Sequence, residues 1–220
     1  MSFKPQSTSP LYPIGVTAAI HAASDSNTSP SPKIFDEFRL SDRVGIISGA
    51  NRGLGLEMAL ALVEAGARVV YCLDLPATPG DEWLKTKEYV EKMASGDKGF
   101  KGRLEYISVD VRNQKAVWKI GEEIGDREGR MDFCVAAAGI LKSETRCLED
   151  KAEDFEEVID VNVNGVLYTA QAAGRQMERF QCKGSIILIA SMAGSITCKV
   201  RQFTSYTHPK ICLTANLVVQ

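Results

Sequence analysis

Tyr206 and Lys210 stand four residues apart in "SYTHPK", the spacing that brings two side chains to one face of a helix. A phenol with an unperturbed pKa of about 10 is a poor base at neutral pH. A lysine ammonium one turn away favours the phenolate, which makes the pair a candidate for exchanging a proton with an alcohol or carbonyl oxygen. The same spacing also occurs on ordinary solvated helix faces, so the pair acquires meaning only from what precedes it. Pro209 lies inside the pair, and proline fits only the first turn of a helix. The helix therefore starts either at Ser205, with proline costing a hydrogen bond, or at Thr207, with Tyr206 just outside.

The second chemical signal is "SGANRGLG", residues 48–55, between the strand-like "RVGIIS" and the helical "LEMALALVEAG". The glycines sit at 49, 53 and 55, so the spacing is not G-x-G-x-x-G. A strand, a tight glycine turn and a helix N-terminus nevertheless form the arrangement whose free N–H groups and dipole receive a pyrophosphate. Glycine could also serve only to turn the strand into the helix. The position of the turn, after the first strand of an alternating pattern, favours a dinucleotide. Ser48, Gly49, Asn51, Arg52, Gly53, Leu54 and Gly55 are the contact candidates.

The elements that position these groups follow from hydrophobic patterning. Apolar, β-branched runs at 43–48, 67–73, 104–109, 131–137 and 184–190 alternate with helical stretches near 54–65, 81–94, 113–125 and 152–179, and with a terminal segment read as helical from about 205. Strands apolar throughout belong to a parallel sheet covered on both faces. The expected fold is a doubly wound α/β domain, three layers deep, over residues 34–220. Residues 1–33 hold fifteen Ser, Thr or Pro and one acidic residue, the composition of a disordered tail. The absence of arginine there argues against a mitochondrial presequence.

The 220 residues carry a formal net charge of −2 with basic and acidic residues interspersed, which excludes the positive face that nucleic acid requires. No apolar run reaches the roughly 18 residues of a membrane span. No two of the six cysteines form a Cys-x-x-Cys pair, so no metal knuckle is expected, and Cys72 and Cys134 in strand-like runs suit a reducing cytoplasm. The only histidines are His21 and His208, too few for a zinc centre.

From the glycine turn onward, residues 34–212 resemble the short-chain dehydrogenase/reductase family, whose motif is Thr-Gly-x-x-x-Gly-x-Gly. Ser48 replaces the threonine and keeps its hydroxyl. The resemblance extends through "VDV" at 109–111, where Asp110 matches the aspartate of the adenine pocket beside Val111, and "AAAG" at 136–139, where the family has Asn-Asn-Ala-Gly. Ala138 and Gly139 keep that motif, whereas Ala136 and Ala137 lack its bracing amides. The resemblance implies an active site of Asn162, Ser191, Tyr206 and Lys210. In it, Tyr206 is the acid/base, Lys210 lowers its pKa and holds the nicotinamide ribose, Ser191 bonds the substrate oxygen, and Asn162 orders a water linked to Lys210. It implies NAD or NADP as cofactor and an alcohol or carbonyl substrate.

Ser191 and Tyr206 are 15 apart, and with "IASMAGSIT" this resembles the branch acting on sugar alcohols and ketoses. Cofactor choice stays open, because Arg52 could reach a 2′-phosphate while Asp74 could accept from a ribose 2′-OH. Asp74 lies one position beyond the usual acidic site when counted from Gly66. Relatives continue into two further strands and a substrate lid, so the expectation is a shortened domain with 184–190 as an exposed edge, weak cofactor binding and poor turnover. Family members usually pair through two helices, of which 152–179 is kept and most of the partner is absent. A nucleotide-binding or interaction protein without turnover, including a nonfunctional shortened product, is the alternative.

Overall fold

The computed structural model describes residues 15–25, 27, 34–96, 101–142, 151–191 and 216–219. The chain divides into two compact units, Met1–Phe38 and Arg39–Gln220. The first contains helices α1 (Gly15–Ser24) and α2 (Ile34–Glu37). Helix α1 lies in the segment expected to be disordered. Its sequence GVTAAIHAAS is alanine-rich, which favours local helix, and none of its residues is buried.

Among the described residues the second unit holds six strands: β1 (Val44–Ser48), β2 (Val69–Asp74), β3 (Arg103–Ser108), β4 (Phe133–Ala136), β5 (Gly184–Leu188) and β6 (Asn216–Val219). Their spatial order is β3-β2-β1-β4-β5-β6, with β1 to β5 parallel to one another. Helices α3 (Gly53–Glu64), α4 (Asp81–Gly96), α5 (Gln114–Glu128), α6 (Ala152–Ile159) and α7 (Val166–Arg179) connect or flank them.

Alternate side chains of each central strand enter opposite cores, as period-two geometry requires. Val44 and Ile46 of β1, with Val69, Tyr71 and Leu73 of β2, pack with Val117 and Ile124 of α5 and Ala173 and Met177 of α7. Ile47, Val70 and Cys72 face the other way, against Leu56, Ala59 and Val63 of α3 and Trp83 and Val90 of α4. The layers are thus α/β/α, and the expected doubly wound fold is observed. At the N-terminal end of the sheet, Asp132 joins β1 to β4 by accepting from the Val44 N–H at 2.9 Å, Arg43 at 2.8 Å and Arg130 at 2.7 Å.

Two elements differ from the sequence expectation. The segment 152–179 is not one continuous α-helix, because Asp160–Gly165 forms a π-helical turn between α6 and α7. The turn meets distant segments: the Asn162 amide is drawn toward Ile140, and a Cβ at Gly165 would lie 2.6 Å from Val111 Cγ2. The second correction concerns the sheet edge. Asn216–Val219 is a strand rather than part of a terminal helix, and it runs antiparallel to β5 with Ile187 opposite Asn216 and Gly184 opposite Val219. The β-branched run favours extended backbone there, and β5 is not the exposed edge that was expected.

Candidate functional site

The strand order reverses between β1 and β4, and ligands of doubly wound sheets bind at the carboxyl ends of the strands at such a point. The glycine turn leaves β1 there. Gly49 has φ +72°, and a Cβ on it would stand 2.7 Å from Ala138 Cα. Its N–H donates to the Leu73 carbonyl at 2.8 Å. A Cβ on Gly55 would approach the Gly49 carbonyl oxygen to 2.2 Å, so this glycine permits α3 to start against the turn. Gly53 differs: its φ is +56°, yet nothing lies within 4 Å of where its Cβ would be. Its exposed face is open space beside the helix start.

Arg52 precedes α3 in extended backbone and makes no side-chain cap to it. The first N–H groups of α3 therefore lack a side-chain cap from that residue. Leu54, in the first turn, is 75% exposed. These features fit a pyrophosphate-bearing ligand: open space beside Gly53 and a helix start that Arg52 does not cap.

Ser48 is fully buried at the end of β1, and its Oγ accepts from the Ala138 N–H at 3.3 Å. This bond crosses the crevice between β1 and β4, where Ala136 and Ala137 supply no amides. Beyond it, Val111, Ala138 and Val161 form an apolar cluster with Ile140 against it. Gly139 follows, exposed.

Asn162 is fully buried in the π-helical turn. Its Oδ1 accepts from the Ile140 N–H at 2.8 Å and its Nδ2 donates to the Ile140 carbonyl at 3.0 Å. The amide thus fixes the chain leaving β4, a role that the residue pattern did not reveal. Ser191 stands half-buried just past β5. Tyr206 and Lys210 lie outside the described residues.

On the other side of the turn, Asp74 ends β2 beside the glycine turn. Its Oδ2 accepts from the Asn51 N–H at 2.9 Å and its Oδ1 from the Leu75 N–H at 2.8 Å. The preceding position, Leu73, is buried, so the one-residue displacement counted along the sequence brings the carboxylate to the turn. Asn51 also accepts from the Gly80 N–H at 2.8 Å. At the end of β3, Asp110 takes the Arg112 N–H at 3.0 Å and its guanidinium at 2.7 Å, and these bonds hold its carboxyl below the usual carboxylate range. Arg112 continues to Glu157, which also meets Lys142. Gly80 and Arg112 were not singled out in the sequence, since neither stands in a motif.

A family profile described as short chain dehydrogenase matches residues 43–215. The sorbose reductase sou1 of Schizosaccharomyces pombe is 34% identical over 79% of this chain and 64% of its own length. An NADP-dependent mannitol dehydrogenase of Aureobasidium melanogenum is 29% identical over 81% of this chain and 64% of its own. The crystal structure of a short chain dehydrogenase from Mycobacterium paratuberculosis bound to NAD superposes with a TM-score of 0.68 at 30% identity, covering 80% of this chain and 65% of that one. The chain belongs to the short-chain dehydrogenase/reductase family, which uses NAD or NADP. It spans less than two thirds of the length of these relatives. Among the described residues no helix is long and apolar enough to cross a membrane.

Proposed function

We infer that this chain carries the site of an NAD- or NADP-dependent oxidoreductase that interconverts an alcohol and a carbonyl, acting on a polyol or ketose. The observation that carries the reading is the open glycine turn at the sheet's reversal point, with the uncapped start of α3 beside it. Gly49, Gly53 and Gly55 with the first N–H groups of α3 hold the pyrophosphate, Asp74 and Asn51 border the adenosine ribose, and Asp110 and Val111 border the adenine. The bound nicotinamide supplies or accepts the hydride.

The remaining roles belong to the chain's own groups. Tyr206 gives or takes the proton at the substrate oxygen, and Lys210 favours its phenolate. Ser191, following β5, donates to the same oxygen. Asn162 fixes Ile140 and with it the wall that faces the substrate. The polyol or ketose assignment is supported by "IASMAGSIT" and the 15-residue Ser191 to Tyr206 separation, together with the two sugar-acting relatives. Buried free thiols at Cys72 and Cys134 suit a cytoplasmic location.

The test is a screen of the purified chain with NADH and NADPH against ketoses, and with NAD and NADP against polyols, using a β-keto thioester as contrast because one fold hosts many substrates. Turnover on a ketose or polyol above that on the thioester is expected. Preference for the thioester removes the substrate assignment. Dinucleotide binding with no turnover on any substrate makes the chain a nucleotide-binding protein instead.

A further inference from the structure

The chain leaving β4 is gripped at two points by α6 and the π-helical turn that follows it. Asn162 holds Ile140 by both of its backbone groups, at 2.8 and 3.0 Å. Two residues further on, the Lys142 ammonium donates to Glu157 Oε2 and lies 3.5 Å from Asp154 Oδ1. Asp154 and Glu157 stand three apart on α6, the spacing that puts both carboxylates on one helix face. Glu157 has a second partner, because its other oxygen, Oε1, is 3.5 Å from Arg112 Nη1. Arg112 in turn is fastened to the turn after β3: its N–H and its Nε each donate to Asp110 Oδ1 at 3.0 Å, and its Nη2 donates to Oδ2 at 2.7 Å. One carboxylate of α6 thus joins the segment after β3 to the segment after β4.

Folding stability does not account for this network. The four side chains that meet at Glu157 are between 27% and 40% exposed, and ion pairs so open to water add little to folding. What they fix is geometry. Each Glu157 oxygen has its own cation, so the two pairs do not compete, and holding one partner orients the carboxylate for the other. The same three segments also meet through apolar side chains, those of Val111, Ala138 and Val161. The turn after β3 and the chain at 140–142 are therefore bonded into one unit with α6, and a ligand that orders one part of such a unit lowers the entropy cost of ordering the rest.

We propose that Glu157 is a positioning residue that couples the two halves of the site: by holding Arg112 with one oxygen and Lys142 with the other, it makes the chain at 140–142 stiffen when a nucleotide orders the turn at Asp110. Occupancy of the adenine half then presets the wall that receives the substrate. The proposal rests on the dinucleotide reading, in which Asp110 borders the adenine and the chain at Ile140 faces the substrate. Glu157 touches neither ligand, and its mark is the response of one segment to a ligand bound at the other.

The experiment is amide hydrogen exchange, read at the Ile140 N–H by NMR, on the 220-residue chain with and without saturating ADP. ADP carries the adenine and the pyrophosphate but no nicotinamide. The variants are Glu157→Gln, which breaks the junction, and Lys142→Met, which cuts only the link to the chain after β4; each is first checked by circular dichroism for an intact fold and by titration for ADP binding. In the wild type, ADP should slow exchange at Ile140 about fivefold, the lower end of couplings between sites. In both variants ADP should still bind, and the slowing should fall below about twofold. A full response retained in the folded variants, or no response in a wild-type chain that binds ADP, overturns the proposal while leaving the nucleotide site standing. Failure of the wild-type chain to bind ADP overturns the reading of the glycine turn and Asp110 as a nucleotide site, and this proposal with it.

Discussion

Replacing Gly53 with alanine separates what the glycine turn does for folding from what it does for a ligand. Gly53 has φ +56°, so the substitution forces an alanine into the left-handed region, yet its Cβ meets nothing within 4 Å. The conformational cost is about 1–2 kcal/mol, which for a domain of this size lowers Tm by about 2–8 °C. The fold should survive. The same methyl group projects into the space beside the helix start where a pyrophosphate must come close, and the affinity for NADH should fall by about tenfold or more. Gly53→Val should reduce it further. Gly55→Ala is the contrasting variant, because its Cβ would stand 2.2 Å from the Gly49 carbonyl oxygen. That overlap with backbone should damage the turn itself and cost stability beyond the Gly53 change. Thermal melts followed by NADH titration read both effects. A folded Gly53→Ala variant that binds NADH as tightly as the wild type would mean that the open face of the turn is not the ligand's.

Asn162→Ala removes both partners of the Ile140 backbone, leaving groups that cost about 1–3 kcal/mol each when buried without a partner; denaturant unfolding should show the loss, and an unchanged midpoint would contradict it. Asp132 sits at the opposite end of the sheet. Burial pushes its carboxyl up, but bonds from Arg130, the Val44 N–H and Arg43 outweigh burial and hold it below the usual range. Its contribution is therefore present above the unfolded-state pKa of about 3.9 and lost as pH falls through the folded value. The Tm difference between wild type and Asp132→Asn should be full at neutral pH and shrink below about pH 4; a difference that does not depend on pH would argue against the ion pairs.

The glycine turn was legible in the sequence because glycine is nearly the only residue that meets its conditions, two positive φ angles and a 2.2 Å approach. Strands β1, β2 and β4 were legible because burial on both faces makes them apolar nearly throughout, and β3 and β5, only partly buried, were legible from their shorter apolar runs. What escaped was set by contacts between distant segments. The Asp74 carboxylate looked misplaced by one residue, since counting from Gly66 ignores that Leu73 is the last side chain of β2 to enter the core. The roles of Asn51 and Asn162 depend on Gly80 and Ile140, 29 and 22 residues away, and no local pattern encodes them. The π-helical turn likewise follows from Gly165 packing on Val111. Strand β6 was missed for a different reason: four residues are too few to distinguish strand from helix by periodicity, and the Tyr-x-x-x-Lys spacing favoured a helix continuing to the end.

We propose that this chain couples hydride transfer on a bound dinucleotide to proton transfer by Tyr206. The most direct test is single-variant kinetics: oxidation of NADH or NADPH by a ketose, followed in the wild-type chain and in Tyr206→Phe, with cofactor affinity measured on both. Turnover should fall by about 10²-fold or more in the phenylalanine variant, while cofactor affinity stays within a few-fold. Equal turnover in the two proteins would contradict it, because the proton would then be carried by another group.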